Sequence, residues 1–84
     1  PAPRTAAQLA PFVGDYGLPH IAIDGDHLTY SMLRRPPLTL IPLTADTFVG
    51  AEEPYARYQF ERSNGRVTAI TVLGPHGPTA RYQR

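Results

Sequence analysis

Apolar and polar positions alternate along this chain in short runs, and turn-forming residues interrupt the runs at near-regular intervals. Residues 27–34 place Leu28, Tyr30 and Met32 on one face and His27, Thr29 and Ser31 on the other, the period-two pattern of a half-buried strand. Residues 55–62 repeat it, with Ala56, Tyr58 and Phe60 inward and Arg57, Gln59 and Glu61 outward. Asp24-Gly25-Asp26, Arg35-Pro36-Pro37, Asn64-Gly65 and Gly74-Pro75-His76-Gly77-Pro78 punctuate the runs. Asn-Gly suits a type I′ turn, whose central residues both take positive φ, so the segments on either side of it are expected to form a hairpin.

The remaining segments extend the pattern. Thr5 and Gln8 have the spacing of a capping box, and Pro11 limits the helix they start to about two turns. Leu9 and Phe12 then face one direction. Residues 13–16 and 20–23 form a first extended passage, bent or bulged at Gly14, Gly17 and Pro19. In the run 38–43, Pro42 cannot donate to a ladder, so that strand is an edge, ends early or carries a bulge. A turn at 44–46 leads to a short strand at 47–51. Val67 is out of phase with Ile70 and Val72, which a bulge near Thr68 or Ala69 reconciles. A last strand over 79–84 turns Ala80 and Tyr82 inward. The expected fold is all-β: an antiparallel up-and-down barrel or strongly curled sheet of seven to eight short strands after one short N-terminal helix. Closure or curling limits exposed sheet edges. With strands this short, a filled interior is favoured.

Eighty-four residues suffice for one domain, read as 5–84 after a proline-stiffened linker remnant at 1–4. Such a domain buries roughly 60–65% of its unfolded surface. The start at Pro1, with neither an initiator methionine nor a signal pattern, reads as a processed chain or an excised domain. There is no cysteine, so disulfides and thiolate metal sites are excluded. The net charge is +1, with the eight basic residues, all arginine, scattered among seven acidic ones. No basic stripe marks a nucleic-acid surface. The longest apolar run falls far short of the roughly 20 residues of a spanning helix, so membrane insertion is not expected.

Candidate chemistry is sparse. His20, His27 and His76 lack metal-ligand spacing, although His20 and His27 flank a turn and could approach across strands. Asp24 and Asp26 lack the later ligands of a calcium loop and read as turn residues. Glu52 and Glu53 are adjacent, so on a strand they point to opposite faces. Neither Ser31 nor Ser63 sits in a nucleophile elbow. No glycine-rich phosphate cradle is present. No catalytic residue, cofactor or metal is assigned, and the chain alone is not expected to be an enzyme. The aromatic residues admit two readings. They fill the core, or Tyr16, Tyr30, Tyr58, Phe60 and Tyr82 line a ligand pocket with Arg34 or Arg62 at its mouth for an anion.

The segment Phe12-Val13-Gly14-Asp15-Tyr16-Gly17 resembles the small lipocalin-like C-terminal domain attached to β-lactamase-like serine hydrolases and some bacterial peptidases. The pattern continues through Asp24-Gly25-Asp26-His27-Leu28, Leu40-Ile41-Pro42-Leu43, Asp46-Thr47-Phe48, Tyr58-Gln59-Phe60-Glu61-Arg62 and Asn64-Gly65-Arg66-Val67. The resemblance implies a non-catalytic accessory or assembly domain beside a bacterial hydrolase, through contact with an upstream domain or self-association, in a periplasmic or secreted setting. The alternative is a small carrier of an apolar or anionic ligand. Gly14-Asp15-Tyr16 is similar to the lipocalin entry motif with Tyr in place of Trp, and the resemblance makes Arg81 the arginine that stacks on Tyr16. A carrier requires an open cavity of roughly 300 Å³ or more, and an assembly module an exposed apolar patch of more than a few hundred Å² along 38–43.

Overall fold

A computed structural model describes residues 4–84. The linker expected at 1–4 lies outside the described residues except for Arg4. Arg4 is anchored: its guanidinium donates to the Thr44 and Ala45 carbonyls and lies 5.4 Å from the Phe48 ring centroid. One helical turn, α1 (Ala6–Leu9), runs into a 3₁₀ turn, η1 (Ala10–Phe12). The capping box is present. The Gln8 amide donates to the Thr5 hydroxyl at 3.2 Å, and the Thr5 amide donates to the Gln8 side chain at 2.8 Å. Leu9 and Phe12 are both buried on the side that meets the sheet.

Eight strands follow: β1 (Gly14–Asp15), β2 (His20–Asp24), β3 (His27–Ser31), β4 (Leu38–Pro42), β5 (Thr47–Gly50), β6 (Arg57–Ser63), β7 (Arg66–Gly74) and β8 (Gly77–Gln83). Each pairs antiparallel with its sequence neighbours in the order β1 to β8, and β1 and β8 are the two edges of a curled half-barrel. Register carries one apolar face through every ladder. Ile21 lies opposite Tyr30, Leu28 opposite Leu40, Phe48 opposite Tyr58, Phe60 opposite Ile70, and Val72 opposite Ala80. A one-residue slip in any ladder would turn that face to solvent, so the burial pattern and the register specify each other.

The turn chemistry is realised locally. Asn64 and Gly65 have φ of 53° and 79°, the two positive values a type I′ hairpin needs. Pro42 is the last residue of β4, beyond the part of that strand paired with β3, so its missing N–H costs no ladder bond there. Glu61 pairs with Ala69 and Arg62 with Val67, leaving Thr68 unopposed as a bulge that brings Val67 and Ile70 to the same buried side. Two expectations change. The passage 13–23 is a hairpin, with Tyr16 N–H bonded to the Pro19 carbonyl at 2.8 Å and Gly17 at φ 79°. The expected loop at 74–78 is a tight turn at Pro75-His76, with a compensating bulge at Thr79.

Arg84 packs beside the Thr68 bulge. Its amide donates to the Thr68 carbonyl at 2.8 Å, and its guanidinium donates to the carbonyls of Val67 at 3.2 Å, Pro11 at 3.0 Å and Val13. The same guanidinium lies 5.3 Å from the centroid of the Tyr16 ring. Tyr16 is fully buried and donates its hydroxyl to the Phe12 carbonyl at 2.7 Å. Arg84, not Arg81, therefore covers Tyr16. Arg81 lies on the outer face, where its guanidinium grips Glu61 in two hydrogen bonds of 2.8 and 2.9 Å. Those bonds, with a third from Thr71, hold the Glu61 carboxyl down to a pKa of about 2.

Gly14 has φ of 147°, and a Cβ there would stand 3.1 Å from an Arg84 guanidinium nitrogen. Arg84→Met should destabilise the domain by about 1–2 kcal/mol, the scale of lost charge-assisted hydrogen bonds and a cation–π contact. Gly14→Ala should cost about as much. Urea denaturation of the double variant should give less than the sum, because without the guanidinium the new methyl meets no obstacle and only backbone strain remains. Full additivity would mean that Gly14 and Arg84 do not meet.

Candidate functional site

In a meander, alternate connections gather at the same end. The β3–β4, β5–β6 and β7–β8 connections lie at one pole, and the helix, Tyr16, the β2–β3, β4–β5 and β6–β7 turns and Arg84 lie at the other. The second pole is packed solid. Phe12 meets Phe60 at 4.8 Å and Phe48 at 5.2 Å between ring centroids, Phe48 meets Phe60 at 5.4 Å, and Tyr16 meets Phe60 at 5.8 Å. Three arginines cover these rings: Arg4 over Phe48, Arg62 over Phe12 and Arg84 over Tyr16.

The first pole is hollow. A cavity of about 780 Å³ opens between β3, β8 and the connections 32–37 and 51–56. Tyr30, Tyr55, Tyr58 and Tyr82 line it with Met32, Leu38, Val72 and Ala80, and the charged groups on its wall are Arg35, Glu52 and Glu53. Its floor is the last layer of the core. The Tyr30 and Tyr58 rings lie 4.8 Å apart, and both residues are buried. The Tyr30 hydroxyl donates to the Met32 sulfur at 3.3 Å.

Of the residues assigned to a pocket from sequence, Tyr30, Tyr58 and Tyr82 come together here. The other four are placed elsewhere. Tyr16 and Phe60 belong to the packed pole, because Phe60 is one inward position further along β6 than Tyr58. Arg62 is tied at that same pole to Asp46 at 3.0 Å and to the Gly65 carbonyl at 3.0 Å. Arg34 takes φ of 67° in the β3–β4 turn, and its neighbour Arg35 reaches the cavity instead. Sequence reasoning missed Met32, Arg35, Glu53 and Tyr55 as cavity residues. The available signal was connection length: the two longest connections of the meander share one pole, and they carry Arg35, Glu52, Glu53 and Tyr55.

The charged groups are differently engaged. Glu52 accepts from the Thr39 amide at 2.7 Å and from the Thr39 hydroxyl at 3.0 Å, and these bonds lower its pKa. Burial pushes the Tyr58 hydroxyl up to about 12, with Glu53 adding to the rise and Arg35 opposing it. Burial likewise raises Tyr30 well above its ordinary 10.0, helped by the neighbouring tyrosines. At neutral pH both tyrosines are therefore hydrogen-bond donors on a largely apolar wall.

The histidines do not converge. His27 pairs with Asp24 and His20 with Ser31, at opposite ends of the β2–β3 ladder. His20 contacts Asp15, and His27 sits 3.4 Å from Asp26 and 3.8 Å from Asp24. Among the described residues there is no cluster of three or more His, Asp or Glu placed to hold a metal ion, and no helix is long and apolar enough to cross a membrane. Comparison with family models, with curated proteins and with solved structures found no match to this chain.

A phenol whose pKa is raised on folding favours the folded state while it keeps its proton, and that contribution falls as pH rises above the unfolded value of 10.0 toward the folded one of about 12. Tyr58→Phe should make denaturant stability less steeply dependent on pH across that window. It should also remove one late step from the ultraviolet titration of the phenols. An unchanged alkaline slope would place the Tyr58 hydroxyl in water.

Proposed function

We propose that this domain is a non-catalytic binding module that holds a small molecule with an apolar body in the cavity at the open pole. The observation that carries the reading is the cavity itself. Its volume of about 780 Å³ lies within the roughly 300–1,000 Å³ of small-molecule sites, and its wall is mostly apolar with a few polar groups, as such sites are. Packing fixes that wall in advance, since Tyr30 and Tyr58 belong to the hydrophobic core while bordering the hollow. A site that is already formed pays little ordering entropy on binding. The groups around it favour recognition over turnover: phenols that hold their protons, an arginine, and carboxylates with no nucleophile placed beside them.

A second reading has its own support. The resemblance to domains appended to bacterial serine hydrolases and peptidases suggests an accessory role in assembly. The outer face of β4 and the residue that follows it carry the apolar side chains such a role would use, with Ile41 and, just beyond the strand, Leu43 at 41% and 49% exposure and Val49 opposite Ile41. The two readings are compatible, because the cavity and this face lie on different sides of the sheet.

An environment-sensitive apolar dye should brighten on addition of the protein and saturate at one site. Ala80→Phe, which fills the hollow from β8, should weaken dye binding by about tenfold or more while Ile41→Phe, outside it, leaves binding unchanged. Equal weakening by both, or none by Ala80→Phe, would overturn the binding reading. Sedimentation equilibrium tests the assembly reading. Self-association should be lost in Ile41→Lys/Leu43→Lys, and a wild-type chain that stays monomeric at millimolar concentration would contradict self-assembly.

A further inference from the structure

We propose that the molecule held in the cavity carries two opposite charges: a carboxylate received by Arg35 and an ammonium received by Glu53, on an apolar body such as that of an amino acid or short peptide with apolar side chains. The inference rests on the binding reading above and deepens it. Three charged residues line the cavity, Arg35, Glu52 and Glu53. Glu52 is occupied by Thr39 through both of its oxygens. Arg35 and Glu53 remain. Among the described residues neither side chain belongs to an ion pair, and they do not pair with each other.

Local structure explains why the two charges stay apart. Arg35 follows a turn closed by its own amide on the Met32 carbonyl at 3.1 Å, with Arg34 at positive φ. It precedes Pro36 and Pro37, whose rings fix φ and stiffen the connection. Glu53 sits in a second connection, held by its amide on the Gly50 carbonyl at 3.2 Å and by its carbonyl, which accepts from the Ala56 amide at 3.0 Å. Two separately braced turns thus present opposite charges to one hollow. The Tyr58 hydroxyl lies within the influence of both, since Glu53 strengthens its hold on its proton and Arg35 weakens it.

A ligand with a single charge is poorly served by this arrangement. An anion at Arg35 is repelled by Glu53, and a cation at Glu53 is repelled by Arg35. A neutral apolar molecule leaves both charges to lose part of their hydration without compensation. A zwitterion satisfies both at once and lays its apolar body against Tyr30, Leu38 and Tyr82. The volume of about 780 Å³ leaves room for a body larger than one amino-acid side chain.

The test is isothermal titration of one dipeptide, leucyl-phenylalanine, in four forms: free, N-acetylated, C-amidated and blocked at both ends. The free dipeptide should bind tightest, and each block should weaken binding by about five- to tenfold, the scale of a partly exposed charge-assisted contact. Arg35→Gln should make binding indifferent to amidation while it stays sensitive to acetylation, and Glu53→Gln should do the reverse. Both residues lie in surface connections without side-chain bonds, so the variants should fold as the parent does. The inference is overturned if the doubly blocked form binds as tightly as the free one, or if the two variants keep the parent's ranking. It is also overturned if none of the four forms binds while the apolar dye still does. If the dye also fails to bind, the underlying binding reading falls.

Discussion

The guanidinium of Arg84 is where the two ends of an unclosed sheet are tied together. β1 and β8 never pair, so nothing in the ladder itself prevents the curl from opening. Arg84 substitutes for the missing ladder by donating to carbonyls from the helical segment, from the residue before β1 and from β7, while lying over Tyr16. Its position depends on one extra residue. The bulge at Thr68 turns Val67 inward, and beside it Arg84 bonds the Val67 carbonyl through its guanidinium and the Thr68 carbonyl through its amide, one rung beyond the β7–β8 ladder. A domain this small has little buried area to spare, so a few directional contacts at the seam carry disproportionate weight.

From that tie follows a division of the molecule into two poles. At the tied pole, phenylalanines pack edge to face beneath three arginines. The arrangement uses a long cationic side chain both as an apolar cover and as a hydrogen-bond donor to exposed backbone. At the other pole no helix among the described residues enters the curl, and tyrosines with Met32, Leu38, Val72 and Ala80 border open space. The hollow there is a consequence of topology: one short helix plugs one end of the curl, and among the described residues nothing comparable fills the other.

Much of this is legible in the sequence. Asn64-Gly65 dictates a hairpin, the phase conflict between Val67 and Ile70 locates the bulge to within a residue, and an early strand end is one of the three outcomes Pro42 allows. These features are local, and local chemistry decides them. What was not legible depended on which pole a residue occupies. Phe60 and Arg62 share a strand with Tyr58 and yet serve the packed pole, because a step of two residues along β6 moves a side chain by a full layer. Arg34 and Arg35 are adjacent in a turn, where no period assigns direction. The parity of β8 distinguishes Arg81 from Arg84. The alternation that turns Ala80 and Tyr82 inward already turns Arg81 outward, and Arg84 has the inward parity.

The interior is filled at the Arg84 pole and open at the other. Methyl-resolved NMR during titration with a small apolar solute tests it directly. The account predicts shifts confined to methyls on the cavity wall, at Leu38, Val72 and Ala80, with Leu9, Leu28 and Ile70 unmoved. Shifts at Leu9, Leu28 or Ile70 of equal size would contradict it, since they would mean that the core beneath the clasp admits the solute as readily as the hollow does.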